Sequence, residues 1–389
     1  MGSDQHTGKE TRPRILFMMR NLIMGGVERV LCRYMATLQE MGAAKCTLLS
    51  LAPLSEQWIL SFLQEHDIAY IDHLIDAPAD KTAFFLKQWL HKARLHRQKK
   101  ALPSKLAAIL DEYDVLVDFT LGCAPFIRTA DKPKIGWLHG SFLTFDGSPE
   151  RLALLEGYEK IVCLSDACLG DLTATYPQLA STFVRIYNPL DADHVRREAE
   201  RPASIAAEAP YFIAVQRLAN DKSVGTIIRA FESFHRRHPE YRLYIVGDGY
   251  LREPLRAMTH CPNIIFTGQI DNPYPLIKDA QALILSSTLK YGEGLGAVLL
   301  EAQALRTLCI SSDVPSGPAE ILLHGKAGYL FEAENPESLC ATLCRAVEAP
   351  AEAEEMVRLG AENLSRFLPE TSARAFLSLL PRRAHIYVL

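Results

Sequence analysis

Apolar and polar positions along this chain fall into blocks. "RILFMM" is a short unbroken apolar run that gives way to the paired glycines of "NLIMGG" and then to the helical stretch "VERVLCRYMATLQEMG". The predicted order is strand, glycine turn, helix. It recurs through "CTLLSL", a helix around "SEQWILSFLQEH", "IAYID", a long helical segment from Lys81 to Leu110, "VLVDFT", "KIGWLHG" and "KIVCLS". Strands this apolar, separated by helices, need cover on both faces, which predicts a parallel sheet in a doubly wound α/β unit.

The alternation breaks at "VRIYNPLDADHVRREAERPASIAAEAP", where Asn188-Pro189 ends a strand and a polar connection follows. It restarts with "YFIAVQRL", the helix "SVGTIIRAFESFHRRHP", "YRLYIVGDG", "IIFTG", "ALILSS", "TLCISS" and "GYLF". Two similar units are expected, residues 14–190 and 191–366, after a flexible polar leader over 1–13 and before a C-terminal segment over 367–389. In such units ligands sit beyond the carboxyl ends of the strands, so the loops of both halves should border one cleft.

A length of 389 residues also favours two cores, and 48% hydrophobic with 23% charged residues is a globular composition. The net charge of -4 gives no case for nucleic acid. Positive and negative residues balance through Leu190, so the deficit lies entirely in the second half. Nine cysteines occur without a CxxC pair, which suits a reducing compartment. Cys340 and Cys344, one helical turn apart with no histidine beside them in sequence, read as buried small hydrophobes, and no metal is implied.

Candidate chemistry sits at strand ends. Neither "GDGYL" nor "MGGVE" completes a dinucleotide fingerprint, but both supply backbone that can approach an anion. Gly25 and Gly26 open a helix, where N–H groups favour a phosphate; a plain tight turn explains them equally well. In "VQRLANDKS", Arg217 and Lys222 suit the two phosphates of a nucleotide diphosphate. In "STLKYGEGLGAVLLEAQAL", Glu293 and Glu301 bracket seven uncharged residues. Helical rise limits their span to about 12 Å, enough for one carboxylate on a sugar and the other on a ribose. "LDADH" has the spacing of a metal-binding pair but reads as a turn.

Taken in order from Val215 to Phe331, "VQRLANDKS", "YIVGDG", "IIFTGQI", "EGLGAVLLEA" and "SSDVPSGPAEIL" resemble the retaining glycosyltransferases of family 4, which have the GT-B fold. "GGVERVL", "GWLHG", "CLSDA" and "YNPLD" extend the resemblance into the first half. It implies two Rossmann-like domains facing across a cleft, the first binding acceptor and the second the nucleotide sugar, with the last segment crossing back to the first domain. Arg217 and Lys222 then stabilise the diphosphate, and Glu301 holds the ribose. Glu293 and the backbone of Gly294, Leu295 and Gly296 hold the transferred sugar. Ile270 lies in the base-contacting region, Gly25 and Gly26 face the phosphates, and His139 meets the sugar near its reacting face. Leu295 stands where the family usually has an aromatic, and Arg306 where glycine is common.

The segment "KQWLHKARLHRQKKALPSK" gathers Lys87, Lys92, Arg94, Arg97, Lys99, Lys100 and Lys105 around Trp89, Leu90 and Leu95. Such a helix can lie on anionic lipid or accept a phosphorylated glycolipid; an exposed charged helix is the plainer alternative. The expected activity is metal-independent retaining transfer of a hexose or N-acetylhexosamine from a nucleotide-diphosphate sugar, UDP-linked by preference. The acceptor is a glycan or glycolipid of a bacterial surface polysaccharide or lipopolysaccharide, at the cytoplasmic face of a membrane. No cofactor beyond this co-substrate is implied. The alternatives are a phosphorylase or epimerase of the same fold, or a non-catalytic partner subunit.

Overall fold

The computed structural model describes residues 12–22, 26–76, 85–139, 147–208 and 210–381, with the backbone alone over 85–91. Gly25, most of the leader, and the side chains of Lys87, Trp89 and Leu90 lie outside the described residues. Strands β1 (Arg14–Met19), β2 (Lys45–Ser50), β3 (Ala69–Ile71), β4 (Val115–Asp118), β5 (Lys134–Trp137), β6 (Lys160–Cys163) and β7 (Phe183–Arg185) form one parallel sheet in the order β3-β2-β1-β4-β5-β6-β7. A second parallel sheet takes β8 (Tyr211–Val215), β9 (Arg242–Val246), β10 (Ile264–Gly268), β11 (Ala282–Leu285), β12 (Leu308–Asp313) and β13 (Tyr329–Glu332) in the order β10-β9-β8-β11-β12-β13.

The strand sequences explain the sheets. "VLVD" of β4 and "ALIL" of β11 are buried at every position, as strands covered on both faces must be. In each sheet the strand order reverses beside the first strand, between β1 and β4 and again between β8 and β11. Loops leaving two neighbouring strands in opposite directions open a crevice there, and both halves therefore present one.

One apolar cluster runs from Phe17, Tyr34 and Trp137 in the first unit through Phe367 and Phe376 to Leu285 and Leu299 in the second. Phe376, on the helix Pro369–Leu377, has its ring 5.9 Å from Phe17, 6.0 Å from Trp137 and 6.4 Å from Tyr34. The helix Pro369–Leu377 thus completes the first unit's interior. The connection after β7 is held to the same region: Leu190 N donates to Phe367 O at 2.8 Å, and Ser372 Oγ to Tyr187 O at 2.9 Å.

"LDADH" begins the helix Ala192–Ala199. Asp191 Oδ1 accepts from His194 N at 2.9 Å, and Oδ2 pairs with Arg33. The carboxylate is spent on a helix cap and a domain-bridging ion pair. The helix Phe85–Leu110 runs through Pro103, with Leu102, Leu106 and Leu110 buried beneath it.

Candidate functional site

Arg217 and Lys222 leave β8, and Glu293 leaves β11, so the two loops flank the second sheet's crevice. Arg217 is exposed, its guanidinium held by Asp221 at 2.8 Å. Lys222 is the reverse: its side chain is 11% exposed, and its Nζ pairs with Glu293 Oε2, itself on a side chain 16% exposed. Ser287 joins them, accepting from Lys222 Nζ at 3.2 Å and donating to Glu293 Oε2 at 2.7 Å. Two nearly buried charges thereby satisfy each other. An incoming diphosphate would compete for the ammonium, and a sugar hydroxyl for the carboxylate.

The glycines of "GDGYL" are required by packing. A Cβ on Gly247 would lie 2.1 Å from Gln216 O, and one on Gly249 2.3 Å from Leu218 O. They are small so that the β9 loop can back the Arg217 loop.

In the β11 loop, Gly296 has φ +84 and precedes the helix Ala297–Ala304. Leu295 is 3% exposed, its side chain in the core, so this loop offers a ligand backbone at that position rather than the aromatic common in the resembling family. Ser316 Oγ donates to Gly294 O at 2.9 Å, and Ser316 forms a backbone bridge with Glu293.

Glu301 lies one turn into the helix Ala297–Ala304 and accepts from Tyr274 Oη at 3.3 Å. Arg29, from the first domain's helix Gly26–Glu40, faces both groups. Burial pushes the Glu301 carboxyl up to about 7, and Arg29 and Tyr274 pull against that rise. Arg29, Tyr274, Ser287 and Ser316 escaped the sequence reading. Arg29 stood inside the quoted "GGVERVL", yet nothing local marks a partner some 270 positions away.

His139 follows β5. Its ring lies 4.4 Å from Phe119 and stacks at 6.1 Å on Trp137, and neither nitrogen makes a well-formed hydrogen bond among the described residues. Burial holds its pKa down at about 3, so the ring is neutral at ordinary pH. Gly26 is exposed and opens the helix Gly26–Glu40, and among the described residues nothing lies within 4 Å of where a Cβ would stand. Ile270, just past β10, is half-buried.

On the helix Phe85–Leu110, Lys92, Arg94, Arg97 and Lys100 are exposed and Lys99 is half-buried, while Leu95 packs inward. Arg94 pairs with Asp76 at 2.8 Å. Among the described residues no helix is long and apolar enough to cross a membrane. Cys344 is buried in the second core and Cys340 is half-buried; folding also brings His238 to Cys344 and Glu348, with donor atoms within 4.8 Å of one another. His238 is otherwise accounted for by stacking at 4.6 Å on Phe234, and Glu348 is exposed.

Residues 195–363 match the family described as glycosyl transferases group 1. An uncharacterized glycosyltransferase of Methanocaldococcus jannaschii is 32% identical over 115 residues, 28% of each chain. The lipopolysaccharide 1,6-galactosyltransferase of Escherichia coli is 28% identical over 162 residues, 39% of this chain and 42% of that one. The chain thus spans less than half the length of these curated relatives. Across nearly its whole length it superposes on Anabaena HepE, solved with UDP and glucose, at a TM-score of 0.72 and 16% identity, covering 95% of this chain and 99% of the other. The architecture is the GT-B fold: two parallel-sheet, Rossmann-like domains.

Proposed function

We propose that this chain is a retaining glycosyltransferase that moves a hexosyl or N-acetylhexosaminyl group from a UDP-sugar to a glycan or glycolipid acceptor of a surface polysaccharide. The observation that carries the reading is the meeting of Lys222 and Glu293 at the crevice between β8 and β11, with Glu301 on the adjoining helix. One cation and two carboxylates gathered around a glycine-bearing loop match the needs of a diphosphate linked to two polyols. The nucleotide in the HepE structure and the galactosyltransferase relative support the donor and acceptor classes.

In this reading Lys222 turns from Glu293 to the diphosphate, and Arg217 swings in beside it. Glu293, released, takes sugar hydroxyls, and Glu301 takes the ribose. The bond from the anomeric carbon to the phosphate oxygen breaks with its electron pair going to the diphosphate, where the two cations stabilise the growing charge without a resident metal. The acceptor hydroxyl enters on the face the phosphate leaves, and its proton passes to the departing phosphate oxygen. Neutral His139 can hydrogen-bond the sugar without adding charge. The exposed basic residues Lys92, Arg97 and Lys100 would hold the enzyme against anionic lipid at the cytoplasmic face.

Thermal shift with UDP-, GDP- and ADP-sugars, followed by product analysis with and without acceptor and free phosphate, tests this. Stabilisation by UDP and transfer with retained anomeric configuration are expected, and Arg217→Ala should weaken UDP roughly tenfold. Sugar phosphate or an epimerised sugar as product would favour the phosphorylase or epimerase. Stabilisation without any turnover would favour a non-catalytic subunit.

A further inference from the structure

The donor loop is tied to the opposite domain by a line of hydroxyls. Ser165, fully buried, caps the first-domain helix Asp166–Thr175, its Oγ accepting from Cys168 N at 3.0 Å. The same Oγ lies 3.0 Å from Ser316 Oγ in the second domain, and Ser316 Oγ lies 2.9 Å from Gly294 O. A carbonyl can only accept, so the one Ser316 proton goes to Gly294. The bond between the serines must then use the Ser165 proton. The line has a single direction: Cys168 N–H to Ser165, Ser165 to Ser316, Ser316 to Gly294 between Glu293 and Leu295.

Two further features show that the loop is held at this point. Ser316 has φ +101 and ψ -155, a region a non-glycine residue occupies only when its surroundings impose it. Gly317 lies so close to the Leu295 backbone that a Cβ would approach its Cα at 2.4 Å. Beside the serines, Glu320 Oε1 accepts from Ala167 N at 2.9 Å and Oε2 from Tyr187 Oη at 3.0 Å, so the segment bearing Ser316 is docked on the first domain by a second contact.

We propose that Ser165 is a positioning residue: through Ser316 it fixes the Gly294 carbonyl, and hence Glu293, only while the two domains are in contact. The inference rests on the proposed function for its kinetic arm alone. Ser165→Gly removes the hydroxyl while largely sparing the helix cap. Expected are a roughly tenfold fall in kcat, a KM for the UDP-sugar within about twofold of the parent, and about fivefold faster amide hydrogen exchange over residues 292–297. Ser316→Ala should do the same, and the double variant should be no worse than either single one. Unchanged exchange over 292–297 in Ser165→Gly overturns the proposal, whatever Ser316→Ala does, as does additive loss in the double variant. If the parent protein turns over no nucleotide sugar, the functional reading fails, and the exchange measurement alone decides the role of Ser165.

Discussion

Lys222 and Glu293 reach each other across the β8–β11 crevice and are held together by the hydroxyl of Ser287. Glu293→Gln should cut transfer by about 100-fold or more, the usual cost of losing a group that engages the transition state. It also strands a nearly buried ammonium, so destabilisation of about 2 kcal/mol is expected. Lys222→Met combined with Glu293→Leu removes both charges and should recover most of that stability with no activity. Chemical denaturation of both variants checks this; a double variant less stable than Glu293→Gln would count against the pairing.

Glu301 sets two opposite pH slopes. Its carboxyl is held at about 7 against an ordinary 4.5, so between these values the folded protein keeps a proton that the unfolded chain has lost. Stability should therefore fall as pH rises through that window, by up to about 1.4 kcal/mol per unit. In the proposed role of Glu301 at the ribose, UDP affinity should run the other way, because the ionised carboxylate accepts two hydroxyl hydrogen bonds. Calorimetric titration from pH 5.5 to 8 should show binding strengthen with pH, and Glu301→Gln should flatten the curve.

His139 opposes Glu301 below neutrality. Its folded pKa, about 3, lies below the ordinary 6.5, so the unfolded chain gains a proton first as pH falls. The stabilisation is complete above 6.5 and is lost on acidification at about 1.4 kcal/mol per unit. His139→Phe should remove this acid sensitivity between pH 6.5 and 4.5 in thermal melts. An unaltered acid limb would mean that another group is responsible.

Arg306 adopts φ +60 in the turn after the helix Ala297–Ala304, a conformation that glycine enters without strain. Arg306→Gly should therefore stabilise by about 1 kcal/mol, seen as a melting point raised by about 2–4 °C, with activity unchanged.

Sheets and crevices were legible because unbroken apolar runs such as "VLVD" and "ALIL" have few other ways to be buried, and a crevice follows from strand order. The residues at the crevice were legible singly. That Lys222 and Glu293 are bound to each other was not, since 71 positions separate them and either reads alone as a ligand contact. In "GDGYL", Gly247 and Gly249 are demanded by the chain lying against them, which no spacing reveals. Arg306 stands where the resembling family commonly has glycine, and its backbone angle is one that glycine favours, which spacing alone does not reveal. Ser165 and Ser316 carry no signal in sequence, because a hydroxyl gains its role from the atom opposite.

Phe376 gives synthesis of this chain an order of events. The face formed by Phe17, Tyr34 and Trp137 waits for a residue more than two hundred positions further on, so the leading half emerges with an open wound that stays uncovered for roughly ten to forty seconds at ordinary elongation rates. A nascent chain stalled at residue 366 should be cut by protease within that half, and extension beyond the helix Pro369–Leu377 should seal it. Splitting the protein at its linker would therefore yield two fragments of which the first needs a patch borrowed from the second.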